Sequence, residues 1–390
     1  MRDLALIAGA LAECEARGEP AVLATVVRTE GSTYRRVGAR ALLRADGTNA
    51  GAVSGGCLEA DLAARVDGLL ATGRAEVVAY DTRAADDLVW GLGLGCNGRL
   101  DVLLEPLAGD TLARSRRLYA RCRDLAAHAV LTTVIAAPSE ARLRVGDRLL
   151  LTESGQPLAS NMAPDALPWD LIADAREALA TRRSALRAYG SAADGVGGIV
   201  VVHELLSPPL SLVVVGAGAD AVPLVRLAAQ LGWRVTVVDH RMSLARAERF
   251  PGATVMLADS DARSAEVSHG CDAAVVMSHN YQRDLVHVRA LLAAGVAYVG
   301  VLGPRRRGLQ MIAELRVSEP DTARLYAPAG LDIGAETPDE IAHAIVAEVM
   351  AVKSRRNGAP LRERPGAIHD EAPIMDPVAA APGPAPTCLR

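Results

Sequence analysis

Ser54-Gly55-Gly56-Cys57 sets a thiol directly after two glycines, and Glu59 follows two residues later. A second stretch, "GLGLGCNG", arranges Gly95, Cys96 and Asn97 in the same order of glycine, thiol and polar side chain. Glycine lets the backbone bend sharply and expose N–H groups suited to an anion. A thiol at the start of a helix is biased toward thiolate by the helix dipole. A carboxylate in the first turn either transfers a proton or simply complements that dipole. Cys57 and Glu59 are thus the candidates for a catalytic role, and neither is assigned one. The bland reading of each loop is a tight strand–helix junction made of small residues. Taken together, the loops offer thiols, backbone donors and a carboxylate, a set that suits a soft metal centre with a phosphate tail.

A third stretch, "VVVGAGADA", places Gly216 and Gly218 after an apolar run, with Ala221 at the third small position. Asp239 ends the next apolar run, where a ribose-binding acid is expected. This spacing predicts a Rossmann-type turn whose glycines let the backbone approach a pyrophosphate at a helix N-terminus. The expected ligand is NAD(P). Arg241 offers a contact for a 2′-phosphate or is an ordinary loop arginine, so NAD and NADP are not separated. Asp220 puts a negative charge at the helix start and reads as a cap.

Composition narrows the chemistry. Lys353 is the only lysine in 390 residues. That removes a G-x-x-x-x-G-K-[ST] loop, a Tyr-x-x-x-Lys pair and a Schiff-base lysine in the body of the chain. Six scattered cysteines with no C-x-x-C pair read as reduced thiols and not as a zinc site, so no metal ligands are assigned. A net charge of −4 without a basic stripe argues against nucleic acid. The apolar runs are short for a membrane span, and "MRDLALIAGALAECEARGEP" reads as an amphipathic helix and not a signal peptide. A cytoplasmic location without membrane association is expected.

The elements that must position these residues form two rhythms. Residues 1–207 read as an α+β domain, with 109–207 as its extension. A strand ends near Gly31, and two strands joined by Asp46-Gly47 follow. A helix after Cys57 stops at Gly73, further strands cover "AEVVAYDT" and "LDVLLEPL", and Trp169–Leu186 reads as helical. From 208 to 354 strands and helices alternate and the strands are almost wholly apolar, which predicts a doubly wound parallel sheet. Its last helix starts at "ETPDE", where Thr337, Pro338 and Glu340 compose a capping box. Residues 355–390 read as a disordered tail. No internal repeat is legible in this reading.

Several long motifs resemble the xanthine dehydrogenase accessory protein family of XdhC/CoxI type. They are "VVRTEGSTYRRVGARALLRADG", "GAVSGGCLEADL" and "WGLGLGCNGRLDVLLEPL" in the first part. In the second part they are "VVVGAGADAVPLVRLAAQLGWRVTVVDHR", "MSHNYQRD", "YVGVLGPRRRG" and "AGLDIGAETPDEIAHAIVAEV". The likeness runs in order over about residues 1–353, with small departures at Val37 and Ala41. It implies a cofactor carrier more than a turnover enzyme. Such a protein binds molybdenum cofactor, supports its sulfuration with a cysteine desulfurase, and delivers it to the large subunit of a xanthine dehydrogenase-type molybdenum hydroxylase. A homodimer is expected. The resemblance marks Ser54, Gly55, Gly56, Cys57, Glu59, Gly95, Cys96 and Asn97 as the cofactor pocket. Arg35, Arg36 and Arg40 are candidates for a terminal phosphate, or ordinary surface charge. His279, Asp284 and Arg305–Arg307 fall near the ligand edge of the parallel sheet and read first as structural or solvated residues. Two other readings stand beside this one: an NAD(P)-dependent oxidoreductase acting on a small molecule, and a nucleotide-sensing regulator.

Overall fold

The computed structural model describes residues 2–81, 98–162, 167–168, 170–190, 198–258, 267 and 269–365. Gly95, Cys96 and Asn97 lie outside the described residues, as does the tail from 366 onward. The chain divides into two compact units, with the break between Pro208 and Pro209.

The first unit contains the same motif twice. Helix α1 (Arg2–Arg17) leads into β1 (Ala21–Gly31), β2 (Arg40–Arg44) and β3 (Asn49–Gly51). Helices α2 (Glu59–Ala64) and α3 (Val66–Thr72) follow, then β4 (Glu76–Asp81) and β5 (Gly98–Leu107). Helix α4 (Gly109–Arg123) opens the second copy with β6 (Ala129–Ala136), β7 (Arg148–Thr152) and β8 (Pro157–Ser160). Helix α5 (Leu171–Thr181), β9 (Ala185–Tyr189) and β10 (Ile199–Leu206) complete it. The sheets run β3-β2-β1-β5-β4 and β8-β7-β6-β10-β9, the same topology twice. The registers coincide: Ala21 pairs with Arg44 and Val22 with Leu43, as Ala129 pairs with Thr152 and Val130 with Leu151.

The expectation of no internal repeat is therefore corrected, and the sequence carries the trace. Leu4, Cys14, Ala21, Val22, Leu23, Thr25 and Val26 recur 108 residues later as Leu112, Cys122, Ala129, Val130, Leu131, Thr133 and Val134. Val37-Gly38-Ala39-Arg40 likewise recurs as Val145-Gly146-Asp147-Arg148. The shared residues are mostly buried apolar positions, which burial holds similar while exposed faces diverge. A second correction concerns Trp169–Leu186. Arg182 takes a left-handed φ of 55° and ends α5, and Ala185 and Leu186 belong to β9, paired with β10.

Each copy sends an arginine into the other. Arg40 at the start of β2 pairs with Glu204 of β10 (Nη1 to Oε1 3.0 Å), and Arg148 at the start of β7 pairs with Glu105 of β5 (2.7 Å). Tyr119 of α4 lies between them, its hydroxyl accepting from Arg40 Nε at 3.1 Å and its ring 5.2 and 5.7 Å from the two guanidiniums. Such a cluster is tolerable when buried because every charge has a counter-charge and directed hydrogen bonds. The apolar core around it comes from α1, α4 and the inner faces of both sheets. Helices α2 and α3 cover the outer face of the first sheet, and α5 that of the second.

The second unit is a parallel sheet of β11 (Ser211–Val215), β12 (Arg234–Asp239), β13 (Ala253–Leu257), β14 (Ala273–Val276), β15 (Tyr298–Val301) and β16 (Leu325–Tyr326). Its order, β13-β12-β11-β14-β15-β16, reverses direction between β11 and β14. That reversal opens a crevice at the strand C-termini, where doubly wound sheets bind ligands. Helices α6 (Ala221–Gln230) and α9 (Pro338–Lys353) cover one face, and α7 (Tyr281–Ala293) and α8 (Arg305–Leu315) the other. The predicted capping box is formed: Glu340 accepts from Thr337 N at 2.8 Å while Thr337 accepts from Glu340 N at 3.4 Å.

Candidate functional site

The chain between β3 and α2 is a compact loop organised by Ser54. The buried Ser54 hydroxyl accepts from Gly56 N and Leu58 N, both at 3.1 Å, and donates to Glu59. Glu59 also accepts from Ser54 N at 3.0 Å. Both Glu59 oxygens are thereby engaged within the loop. Burial pushes the pKa of this carboxyl up, but the Ser54 hydroxyl and amide outweigh it and hold Glu59 below the usual carboxylate range. Glu59 is a frame for the loop and is not poised as a proton-transfer group.

That frame presents Gly55 and Gly56 to solvent, with Cys57 half-buried against the core beneath α2 and α3. Gly56 has a φ of 110°, a conformation an L side chain resists, and its Cβ position faces open space. The glycine is required by the backbone, and the space beside it is left clear. Tyr34, 71% exposed, lies over Gly55 and would meet a Cβ there at 3.6 Å. Gly98, at the start of β5, packs against the Glu30 and Ser32 carbonyls. The 30–34 segment therefore adjoins both the Ser54 loop and the start of β5. Neither contact was foreseen from the sequence, which gives no direct signal for them.

The three arginines of this region part company. Arg35 pairs with Asp3 of α1, while Arg36 is exposed and makes no ion pair among the described residues. Arg40 is corrected as a phosphate candidate: it is 1% exposed and paired to Glu204. Among the described residues, no three His, Cys, Asp or Glu side chains gather as a metal-binding group.

In the second unit, Gly216 stands at the switch point with a φ of 118°, and a Cβ there would fall on the Met277 carbonyl. Asp239 sits where the spacing placed it, but its carboxylate is already filled. Its oxygens accept from Ala217 N (2.6 Å), Arg241 N (2.8 Å) and the Arg241 guanidinium (2.7 and 3.0 Å). Burial opposes ionisation, yet these donors prevail and Asp239 is lowered to about 2. Asp220 occupies the N-cap position of α6, but its side chain makes no capping hydrogen bond. It pairs instead with His279 Nε2 at 2.8 Å, beside Gly218. His279 holds a left-handed φ of 62° to make that contact. Arg249 donates to the Ala217 carbonyl at 2.6 Å. A small cavity of about 10 Å³, room for one water, lies beside Gly216 and Asp239. Asp284 and Arg307 are also drawn inward: Asp284 is 1% exposed and accepts from Ser278 Oγ at 2.5 Å and from Arg307. Arg307 is therefore a half-buried partner of Asp284 and not part of a solvated face.

The fold and sites define a two-unit α/β protein, a duplicated antiparallel unit with an exposed Gly–Gly–Cys loop joined to a Rossmann-like parallel sheet. The chain belongs to the XdhC and CoxI family: residues 14–81 match that family's profile, and residues 212–349 match the XdhC Rossmann domain. It is 33% identical over 340 residues to a probable xanthine dehydrogenase subunit of Bacillus subtilis (strain 168), covering 86% of this chain and 94% of that protein. It is 25% identical over 342 residues to the molybdenum cofactor insertion chaperone PaoD of Escherichia coli (strain K12), covering 86% of this chain and 84% of PaoD. Its structure is similar to that of a protein from Bacillus halodurans described as a xanthine dehydrogenase. That likeness has a TM-score of 0.71 and 28% identity, and spans 91% of this chain and 98% of the other. No described helix is long and apolar enough to cross a membrane.

Proposed function

We propose that this protein is an accessory factor for a xanthine dehydrogenase-type molybdenum hydroxylase and carries molybdenum cofactor as its cargo. The Bacillus subtilis and Escherichia coli relatives support this role by their names, and the Ser54–Glu59 loop supports it by its geometry. The loop is the observation on which the reading rests. A rigid Ser54–Glu59 frame holds Gly55, Gly56 and Cys57 at the surface, so a bound pterin meets clear space beside Gly56 and a thiol at its rim. Tyr34 offers an aromatic face next to Gly55, and Arg36, which has no ion pair among the described residues, a charge for an anionic group. On this reading Gly95, Cys96 and Asn97, which lie outside the described residues, also belong to the pocket as the family resemblance implies. While the cargo is held, a cysteine desulfurase supplies sulfur, and the large hydroxylase subunit then receives the sulfurated cofactor. Delivery proceeds from a cytoplasmic homodimer. The oxidoreductase alternative is weakened by the closed Asp239–Arg241 and Asp220–His279 contacts.

The test is anaerobic incubation of the purified protein with molybdenum cofactor, desalting, and assay of the molybdenum and pterin retained. Near-stoichiometric retention is expected, with most of it lost in Cys57→Ala. Absence of retention by the folded wild-type chain overturns the carrier role. Full retention by Cys57→Ala, with unaltered activation of the hydroxylase, overturns the assignment of the thiol.

A further inference from the structure

A cleft of about 650 Å³ lies in the first unit between α4, the turn before β7 and strand β8. Five arginines line it: Arg114, Arg117 and Arg121 of α4, Arg144 of the turn and Arg148 at the start of β7. The lining acids are Glu105 and Asp147, so the cleft carries a net charge of +3 in a chain whose total is −4. Both acids are already committed. Glu105 is bound to Arg148, and Asp147 accepts from Arg144 N at 2.8 Å and Asn161 Nδ2 at 3.0 Å. The side chains of Arg114, Arg117, Arg121 and Arg144 are exposed and form no ion pair among the described residues.

The duplicated fold supplies an internal control. At the positions 108 residues earlier, α1 has Leu6, Gly9 and Glu13 where α4 has Arg114, Arg117 and Arg121. Two copies of one helix share their buried residues but differ in charge on this face. Helix packing does not demand the arginines, since the equivalent helix packs without them. Residues spaced i, i+3 and i+7 share one helical face, and at 1.5 Å per residue these three span about 10 Å. That reach fits two linked phosphates with part of the group they carry. The cleft volume lies within the roughly 300–1,000 Å³ of small-molecule sites. Leu118 and Leu158 supply apolar wall for an organic body.

We propose that this cleft binds a small organic diphosphate of the nucleoside-diphosphate class. Arg114, Arg117 and Arg121 grip the phosphates as guanidinium forks, and the Glu105–Arg148 pair forms a fixed floor. The site is separate from the Ser54 loop, so the inference stands independently of the cargo proposed above.

Calorimetric titration of the full chain with ADP, inorganic pyrophosphate and adenosine tests it, alongside a triple variant Arg114→Gln, Arg117→Gln, Arg121→Gln. ADP is expected to bind at one site per chain, pyrophosphate more weakly, and adenosine not at all. The triple variant is expected to bind ADP at least about tenfold more weakly, with its thermal melting unchanged. Should the triple variant fold poorly, Arg117→Gln alone is titrated, and the same loss in a smaller degree is expected. No binding of ADP or pyrophosphate at millimolar concentration overturns the proposal. Equal binding by wild type and variant overturns it by placing ADP elsewhere. Preference for a poly-glutamate peptide over ADP overturns it in favour of a protein-binding face.

Discussion

The two copies of the motif in the first unit show which parts of a fold are fixed and which are open to change. Both keep the cysteine that closes the helix core, Cys14 and Cys122, and both keep the arginine that reaches across to the other copy, Arg40 and Arg148. Elsewhere they diverge. The first copy follows β3 with Ser54-Gly55-Gly56-Cys57, where position 54 corresponds to Met162 of the second. The second carries the arginines on α4 where the first has Leu6, Gly9 and Glu13. The strand interiors differ too. Leu104 of β5 corresponds to His203 of β10, and Ala24 of β1 to Thr132 of β6. A duplicated frame has thus been given different chemistry in each half, while both halves keep the crossed arginines and the core cysteines between them.

The largest test of that equivalence is the pair of crossed arginines. Arg40→Ala and Arg148→Ala each leave a buried glutamate without its counter-charge, and each is expected to cost about 3–5 kcal/mol. Urea unfolding of the two variants measures it, and a cost below about 1 kcal/mol for only one of them breaks the equivalence. The double change Arg40→Met with Glu204→Leu is expected to restore most of the loss, because two apolar side chains leave no orphaned charge.

His203 sharpens the contrast. It is fully buried, with Thr132 Oγ1 at 2.8 Å from Nδ1 and the Tyr189 hydroxyl at 3.0 Å from Nε2. Burial, helped by the nearby Arg187 charge, pushes the imidazole down from 6.5 to about 4. Between those values the unfolded chain takes up a proton that the folded chain refuses. Stability from this residue is therefore complete above about pH 6.5 and falls as pH drops toward 4, by about 3 kcal/mol over the window. The double variant His203→Leu, Thr132→Ala recreates the Leu104 and Ala24 pair of the first copy and is expected to remove that acid-side loss. Stability curves at pH 7 and pH 4.5 decide it. A pH dependence that persists in the variant locates the sensitivity elsewhere.

The smallest of these effects concerns the Ser54 loop. Ser54→Ala removes the acceptor of two amides and the donor to Glu59, and is expected to cost about 1–3 kcal/mol. The loosened loop also exposes Cys57, so its reaction with a thiol reagent should accelerate. An unaltered thiol rate would mean that Ser54 does not set the geometry of the loop.

Local signals carried much of this fold. Asp46-Gly47 marked the β2–β3 hairpin, and Thr48 N and Oγ1 bind Asp46 Oδ1 at 2.8 and 2.6 Å there. Gly73 marked the end of α3, where it takes a φ of 64°. Thr337 and Glu340 marked the start of α9, and the apolar strands after Pro209 marked a parallel sheet. These follow from short-range rules: which residues tolerate a left-handed turn, which side chains satisfy free amides, and which strands are covered on both faces.

What the sequence alone determined was most of the elements, the Rossmann-like class and the family-bearing motifs, because backbone preferences and apolar periodicity act within a few residues of one another. Tertiary structure decided how the charged side chains were spent. "YRRVGAR" looks the same on paper for Arg35, Arg36 and Arg40, yet one pairs with Asp3, one is exposed and one is buried against Glu204. Asp239 and Arg241 read as ligand residues and turn out to bind each other. The physical reason is that an ion pair depends on which carboxylate the fold brings within about 4 Å. For Arg40 that carboxylate is 164 residues away, beyond the reach of any local pattern.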